Sequence, residues 1–457
     1  MSSTDGWVHG GKSRMSQWLA RLVGAGLLLA FGAGPVSAED APAPPPLPTP
    51  LEALFEPVRE SLKPLPRFFR DTDLKLNFRS YYFNRTKPDE TQNEAEAFGG
   101  SISYKSGWLL DTFAIGATLY GSAPLYGPKD RDGTLLLEPG QDGYYVPGEA
   151  WGALKYGDYA LLKGYRQLVN QSYINPQDNR MTPNTFEALT LGGKIGWLEY
   201  QAGYLWNIKT RNADEFVAMS AAAGIKGEHD GVGTSGLRLT PIKNLRLDVT
   251  NQYGVNMFNT VYAEADYLRK LNEDWSLRFG AQFTDQRAVG DALLPRANGK
   301  YWVTHTGGMR AQVIFRDLTL TGAFSITGSG NTIQSPWGSF PGYLSMIERD
   351  FDQAQQKAIL FGGAYDFSNV LLKGLSANFN LVWGWDAINP STRRNAPDLA
   401  EYDFTADYRP AFRLTGFLRG LVQGMWFRAR GAIVDQENAR TLGYQFRIII
   451  NWDRDLI

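Results

Sequence analysis

From Leu74 onward the chain runs in short segments that alternate apolar and polar residues, each broken by Gly, Asn, Asp or Pro. Leu74, Leu76 and Phe78 interleave with Lys75, Asn77 and Arg79; Trp275, Leu277, Phe279 and Ala281 interleave with Ser276, Arg278, Gly280 and Gln282. Tyr402, Phe404 and Ala406 repeat the pattern, as do Tyr444, Phe446, Ile448 and Ile450. A period of two is what a strand needs when one face meets lipid and the other water. Eighteen such segments can be placed, at 74–83, 96–104, 111–120, 148–156, 159–166, 186–195, 198–207, 232–240, 245–254, 259–268, 275–285, 303–315, 318–327, 358–367, 375–386, 401–408, 424–434 and 442–452. All 24 prolines fall outside them, as expected where a ladder cannot spare a donor. Short links such as 157–158, 196–197, 241–244 and 316–317 alternate with long ones such as 121–147, 167–185, 208–231, 286–302 and 328–357. Only 409–423 is long at a short-turn position. The pattern predicts an all-β fold: a transmembrane antiparallel β-barrel of eighteen strands, with both chain ends on the short-turn side.

The segment before Leu74 sets the compartment. Lys12, Arg14 and Arg21 precede an apolar run over 22–31, and Val36-Ser37-Ala38 forms a small-residue cleavage site. Residues 1–38 read as a secretory signal peptide, with Met15 an alternative start, because the run is about half the roughly 20 residues of a spanning helix. Residues 39–70 form a Pro-rich periplasmic tail, with a short helix expected over 51–62; a passive spacer is favoured over contact with peptidoglycan or a partner. The barrel occupies 71–457. Export and a barrel together place the chain in the outer membrane of a Gram-negative bacterium, in contact with lipid and with the barrel-assembly machinery.

Composition narrows the chemistry. The 46 Lys and Arg balance 47 Asp and Glu, so no global basic field points to nucleic acid. The chain has no Cys and three His, which leaves little material for a metal centre or a nucleophile–base pair, and no cofactor is expected. The face opposite the lipid would line a water-filled lumen. Alternation places Arg79, Arg238, Arg246, Arg278, Arg310, Arg428, Arg430 and Arg447 there, with Asp248, Glu264, Asp266, Asp366, Glu401, Asp403 and Asp407 as inward acids. The arginines would either pair with these acids around a wet wall or offer an anion a series of forks.

Four stretches resemble the OprD family of substrate-selective outer-membrane porins. They are 73–85; Arg166-Gln167 together with 175–187; Pro336-Trp337-Gly338-Ser339-Phe340-Pro341-Gly342-Tyr343 with Arg349-Asp350-Phe351; and 416–421 before Trp426-Phe427-Arg428-Ala429-Arg430. The resemblance implies an eighteen-stranded channel, often monomeric, whose third and seventh outer loops fold inward. It implies passage of small carboxylate-bearing solutes, anionic or zwitterionic, along a basic ladder. On that basis Asn175, Asp178 and Arg180 lie at the constriction, Tyr343 and Asp350 face them, and Arg428 and Arg430 match the ladder strand; the other inward arginines rest on alternation. The chain departs from the family in its longer tail, in the residues following Trp452, and in the 175–187 stretch, which differs from that of basic amino-acid channels and leaves the substrate open. The alternatives are a general or sugar porin with little selectivity and an outer-membrane hydrolase; the latter has only His229 and His305 beyond the leader and no G-x-S-x-G.

Overall fold

The computed structural model describes residues 50–294, 301–411 and 422–457. The expected leader, most of the Pro-rich tail, the 416–421 stretch and most of the long 409–423 link lie outside the described residues. The short helix is present as α1, Pro50–Leu62, followed by α2, Arg67–Arg70. The α2 turn sits against the wall: the Phe68 ring stacks on Phe113, the Gly107 N–H donates to the Phe68 carbonyl at 2.9 Å, and Arg67 pairs with Asp111 at 3.2 Å.

The strands run in chain order as β1 (Asp73–Thr86), β2 (Gln92–Lys105), β3 (Phe113–Tyr126), β4 (Tyr144–Tyr156), β5 (Ala160–Gln167) and β6 (Thr185–Ile195). Then come β7 (Leu198–Lys209), the two-residue β8 (Val217–Ala218), α3 (Met219–Ala222), β9 (Val232–Leu239), β10 (Leu245–Gly254), β11 (Phe258–Lys270) and β12 (Trp275–Ala288). The last set is β13 (Val303–Phe315), β14 (Leu318–Thr327), β15 (Lys357–Asp366), β16 (Leu375–Trp385), β17 (Leu399–Tyr408), β18 (Met425–Gln436) and β19 (Gly443–Asp455). Each of the eighteen expected segments falls on one of the eighteen wall strands. The exception, β8, is a bridge within a loop; β7 pairs directly with β9.

Every wall strand pairs antiparallel with its neighbours, and β1 pairs with β19 from Lys75 opposite Asp455 to Thr86 opposite Tyr444. The sheet is therefore a closed barrel with no free edge. Large apolar residues of one parity, among them Phe98, Phe279, Phe404 and Phe446, are exposed on the outside, while the opposite parity faces the lumen. In one respect the strands exceed expectation. β3 and β4 extend far enough to take in Pro124 and Pro147. Each lies beside a register shift, with Leu125 and Gly148 as the extra residues. A bulge suspends the ladder there, so the missing donor is not required.

At Gly100 the wall needs a residue without a side chain. Its φ is +138°, and a Cβ there would lie 1.9 Å from the Asn77 carbonyl oxygen of β1. Phe78, its register partner, stacks on Phe98 and on Trp452 at 5.9 and 5.6 Å, covering the gap across the closing seam.

The buried apolar core lies inside the barrel at the long-loop end, where loops pack against inward wall residues. Numbered from the β1–β2 link, loop 2 covers 127–143, loop 3 covers 168–184, loop 4 covers 210–231 and loop 7 covers 328–356. Ile174 of loop 3, Met219 and Ile225 of loop 4 and Trp337 of loop 7 share one cluster with the wall residues Phe186 and Phe258. Leu136 and Leu137 of loop 2 and Met181 of loop 3 cover Tyr81 and Phe83 of β1. The Gly100→Val variant should lose its folded, fast-migrating gel band at a lower temperature than the parent, whereas Gly322→Val, at a position with nothing within 4 Å of the added Cβ, should not.

Candidate functional site

Loops 3 and 7 cross the lumen and are joined to each other. Asn175 makes the joint: its side-chain N–H groups donate to the carbonyls of Ser172 and Ser339 at 3.1 and 3.2 Å, and its oxygen accepts from the N–H of Ser339 and Gln177 at 2.9 and 3.2 Å. Gly338 leaves the space Asn175 fills, since a Cβ there would sit 2.8 Å from its amide. Tyr173 reaches across to Thr284 of β12 at 2.7 Å, and the buried Trp337 indole donates to the Met219 carbonyl at 2.8 Å.

Wall carboxylates hold loop 7 by its backbone. Asp403 accepts from the Ile347 N–H at 2.8 Å, and Glu401 accepts from Glu348 and Arg349 at 2.7 and 2.9 Å. These inward acids of β17 thus act as anchors. Tyr343 donates to Glu264 at 3.0 Å and lies beneath the Arg310 guanidinium, so it points toward β11–β13 and not toward Asp178. Asp350 accepts from Ser345, and burial raises its pKa. Asp366 ends β15 opposite Ser376, exposed, and its carboxylate caps the next turn by accepting from the Ser368 N–H at 2.9 Å.

The arginines divide into two sets. On β9–β13 they are paired: Arg238 and Arg246 with Asp248 at 2.6 and 2.8 Å, Arg246 also with Glu264 at 3.3 Å, and Arg278 and Arg310 with Asp266, each at 2.9 Å. Below loop 3, Arg238, Arg246, Asp248 and Glu264 border a cavity of about 1020 Å³ that also meets Gln177 and Asp178. Arg428 is likewise held by Asp407, at 2.6 and 3.0 Å. Arg79 pairs with Asp178 at 2.7 Å and also donates to the Arg180 carbonyl, tying loop 3 to β1.

The second set has no carboxylate within ion-pair distance among the described residues. Arg430 donates to the Thr405 hydroxyl at 3.3 Å. Arg447 donates to Gln445 and to the Ile347 carbonyl. Arg180 donates to the carbonyls of Thr134 and Asn179, and Arg211 to the Asn179 amide oxygen. Arg180 and Arg447 both stack on Phe83, at 5.0 and 4.7 Å. Burial, then the nearby Arg447, pushes the Arg211 guanidinium down to about 10, so that it stays cationic at neutral pH, and lowers Arg180 as well. Arg211 and Arg85 were absent from the sequence-derived set. Arg85 shares the parity of Arg79 and could have been found; it pairs with Glu348 of loop 7 at 3.2 Å. Arg211 lies on a loop, where no periodicity marks it.

A closed eighteen-stranded wall, two inward loops and an arginine cluster where they meet call for comparison with known channels. The model of the outer membrane porin OprD family matches residues 66–453. The chain belongs to the OprD family. It is 25% identical over 372 residues to chitoporin of Escherichia coli (strain K12), covering 71% of this chain and 76% of that one. Among solved structures, Pseudomonas aeruginosa OccK9 (OpdG) superposes with a TM-score of 0.75 at 19% identity, over 86% of this chain and all of that one. P. aeruginosa OpdK, solved with vanillate, gives 0.72 at 18%, and a BenF-like porin from Pseudomonas fluorescens Pf-5 gives 0.74 at 17%; each covers 85% of this chain and all of its own. The protein is an outer-membrane porin of a Gram-negative bacterium, a channel and not an enzyme. Its short turns face the periplasm and its long loops the exterior.

Two outcomes follow for the porin. Asn175→Ala removes five hydrogen bonds between and within loops 3 and 7, each worth up to about 0.5–1.5 kcal/mol net, and should raise open-channel current noise while leaving the folded gel band in place. The Asp352 carboxyl in loop 7 is pushed up to about 8, first by burial and then by Asp350. A carboxyl raised in this way binds more protons in the folded loop than in a free chain. Its contribution to anchoring is therefore complete below its ordinary value near 3.8 and is lost as pH rises through about 8. Current noise should grow between about pH 6 and pH 9, and Asp352→Asn should flatten that rise.

Proposed function

We propose that this porin passes small carboxylate-bearing solutes, anionic or zwitterionic, by passive diffusion, and that the unpaired arginines at the meeting of loops 3 and 7 select them. The observation that carries the reading is the cluster of Arg180, Arg211, Arg430 and Arg447, four cations with no carboxylate within ion-pair distance among the described residues, Asp403 and Asp350 acting on it only from farther away. Like charges held together in a partly dry site favour an anion, and a guanidinium offers a carboxylate two parallel donors. Arg428, paired with Asp407, and the paired set on β9–β13 then form a polar wall along which the solute continues toward the periplasm. The vanillate of the OpdK structure is an aromatic carboxylate, which supports the same class.

The likeness to chitoporin favours a second reading, a sugar channel in which the arginines hold only the loops. A liposome flux panel of benzoate, a basic amino acid and a neutral sugar separates the two. Carboxylates should pass fastest, and Arg430→Ala should slow them about tenfold, the equivalent of one charge-assisted hydrogen bond of about 1.5 kcal/mol, without slowing the sugar. Unchanged benzoate flux in both Arg430→Ala and Arg428→Ala would overturn the proposal. In the same reading the leader is removed after Ala38 and residues 39–70 remain as a periplasmic tail. N-terminal sequencing of the protein from outer membranes should then begin at Glu39-Asp40-Ala41-Pro42.

A further inference from the structure

At the outer rim a cleft of about 500 Å³ opens between loop 1 (87–91), loop 7 and loop 9 (437–442). Lys87, Arg349 and Arg440 line it, with Asp89 and Glu90. The two tips are joined, since the Thr441 hydroxyl donates to the Pro88 carbonyl at 3.4 Å, and Lys87 and Thr91 close loop 1 through a backbone bond of 2.9 Å. Asp89 is turned back on its own loop, accepting from the Thr91 N–H at 3.0 Å. Lys87, Arg349 and Arg440 form no ion pair among the described residues, and the Arg349 Nε is buried without a hydrogen-bond partner.

Arg349 is placed there by design of the loop. Its N–H is held by Glu401 at 2.9 Å, so the side chain projects from a fixed backbone. The two residues before it lead inward: Glu348 pairs with Arg85, and the Ile347 carbonyl accepts from Arg447 at 3.2 Å. Three consecutive residues of loop 7 therefore connect the rim cleft to the arginine cluster below. A guanidinium that lines a cleft without an ion pair presents an entering oxyanion with a planar set of N–H donors.

We propose that this cleft is an outer capture site, separate from the constriction, that binds the carboxylate of an incoming solute through Arg349, with Lys87 and Arg440 drawing it in. The proposal rests on the carboxylate reading above and adds direction to it: the site serves solutes arriving from outside.

The test uses the full-length porin, singly inserted in planar bilayers in known orientation, with benzoate added to one side at a time. In the Lys87→Gln/Arg349→Gln/Arg440→Gln variant the benzoate association rate from the loop side should fall about tenfold at low salt, the lower end of the range for electrostatic focusing, and the difference should shrink in about 1 M salt. The rate from the turn side should not change. The double variant Lys87→Gln/Arg440→Gln, which keeps Arg349 and alters only rim side chains, should show a partial loss if the triple variant fails to insert. An equal fall from both sides, or none from the loop side, overturns the capture site while leaving carboxylate selectivity standing. A fall seen only when the loop-side leaflet contains lipopolysaccharide assigns the cleft to lipid phosphates and also overturns it. Absence of benzoate events in the parent protein overturns the carboxylate reading and this inference with it.

Discussion

The pairing of β1 with β19 is the constraint on which the rest of this structure depends. In hydrocarbon no water satisfies a free N–H or C=O, so a sheet can cross a membrane only if its last strand returns to its first. Twelve register pairs from Lys75 to Thr86 make that seam here. Phe78 lies at it, with Phe98 on one side and Trp452 on the other. Once the seam is closed, the outward face needs only apolar residues, and the inward face is free to be polar.

That freedom inverts the usual arrangement of a folded domain. The wall alone encloses no core, and its buried apolar residues are covered by loops that turn back into the lumen. Trp337, Ile174, Met219 and Phe258 pack there much as residues pack inside a soluble domain, and Asn175 and the β17 carboxylates supply the polar joints. The pore is thus narrowed by a small packed body held on all sides, which makes its shape a property of side-chain contacts and not of loop length.

Charge is distributed by the same logic. Arginines on β9–β13 face carboxylates on neighbouring strands and are spent in the wall, where partly exposed pairs add little net energy. Arginines near loops 3 and 7 meet carbonyls, amides and Phe83 instead. There the guanidiniums are hydrogen-bonded and oriented without a carboxylate at ion-pair distance among the described residues.

The sequence by itself determined the wall. Period-two alternation from Leu74 to Ile450 placed all eighteen strands, and the rhythm of short and long links separated the two ends, because both signals are local and repeat. It also named Arg428, Arg430 and Arg447 as inward and, through family resemblance, pointed to loops 3 and 7, although Tyr343 turns toward Glu264 and Arg310 and not toward Asp178. It did not show that Pro124 and Pro147 could enter strands, since a bulge is a property of two strands together. Nor did it separate Arg430 from Arg428, two residues of identical parity. Only the tertiary structure decided that Asp407 lies beside one and Thr405 beside the other. Which partner a charge meets depends on register across strands and on where distant loops come to rest, and alternation along one strand carries neither.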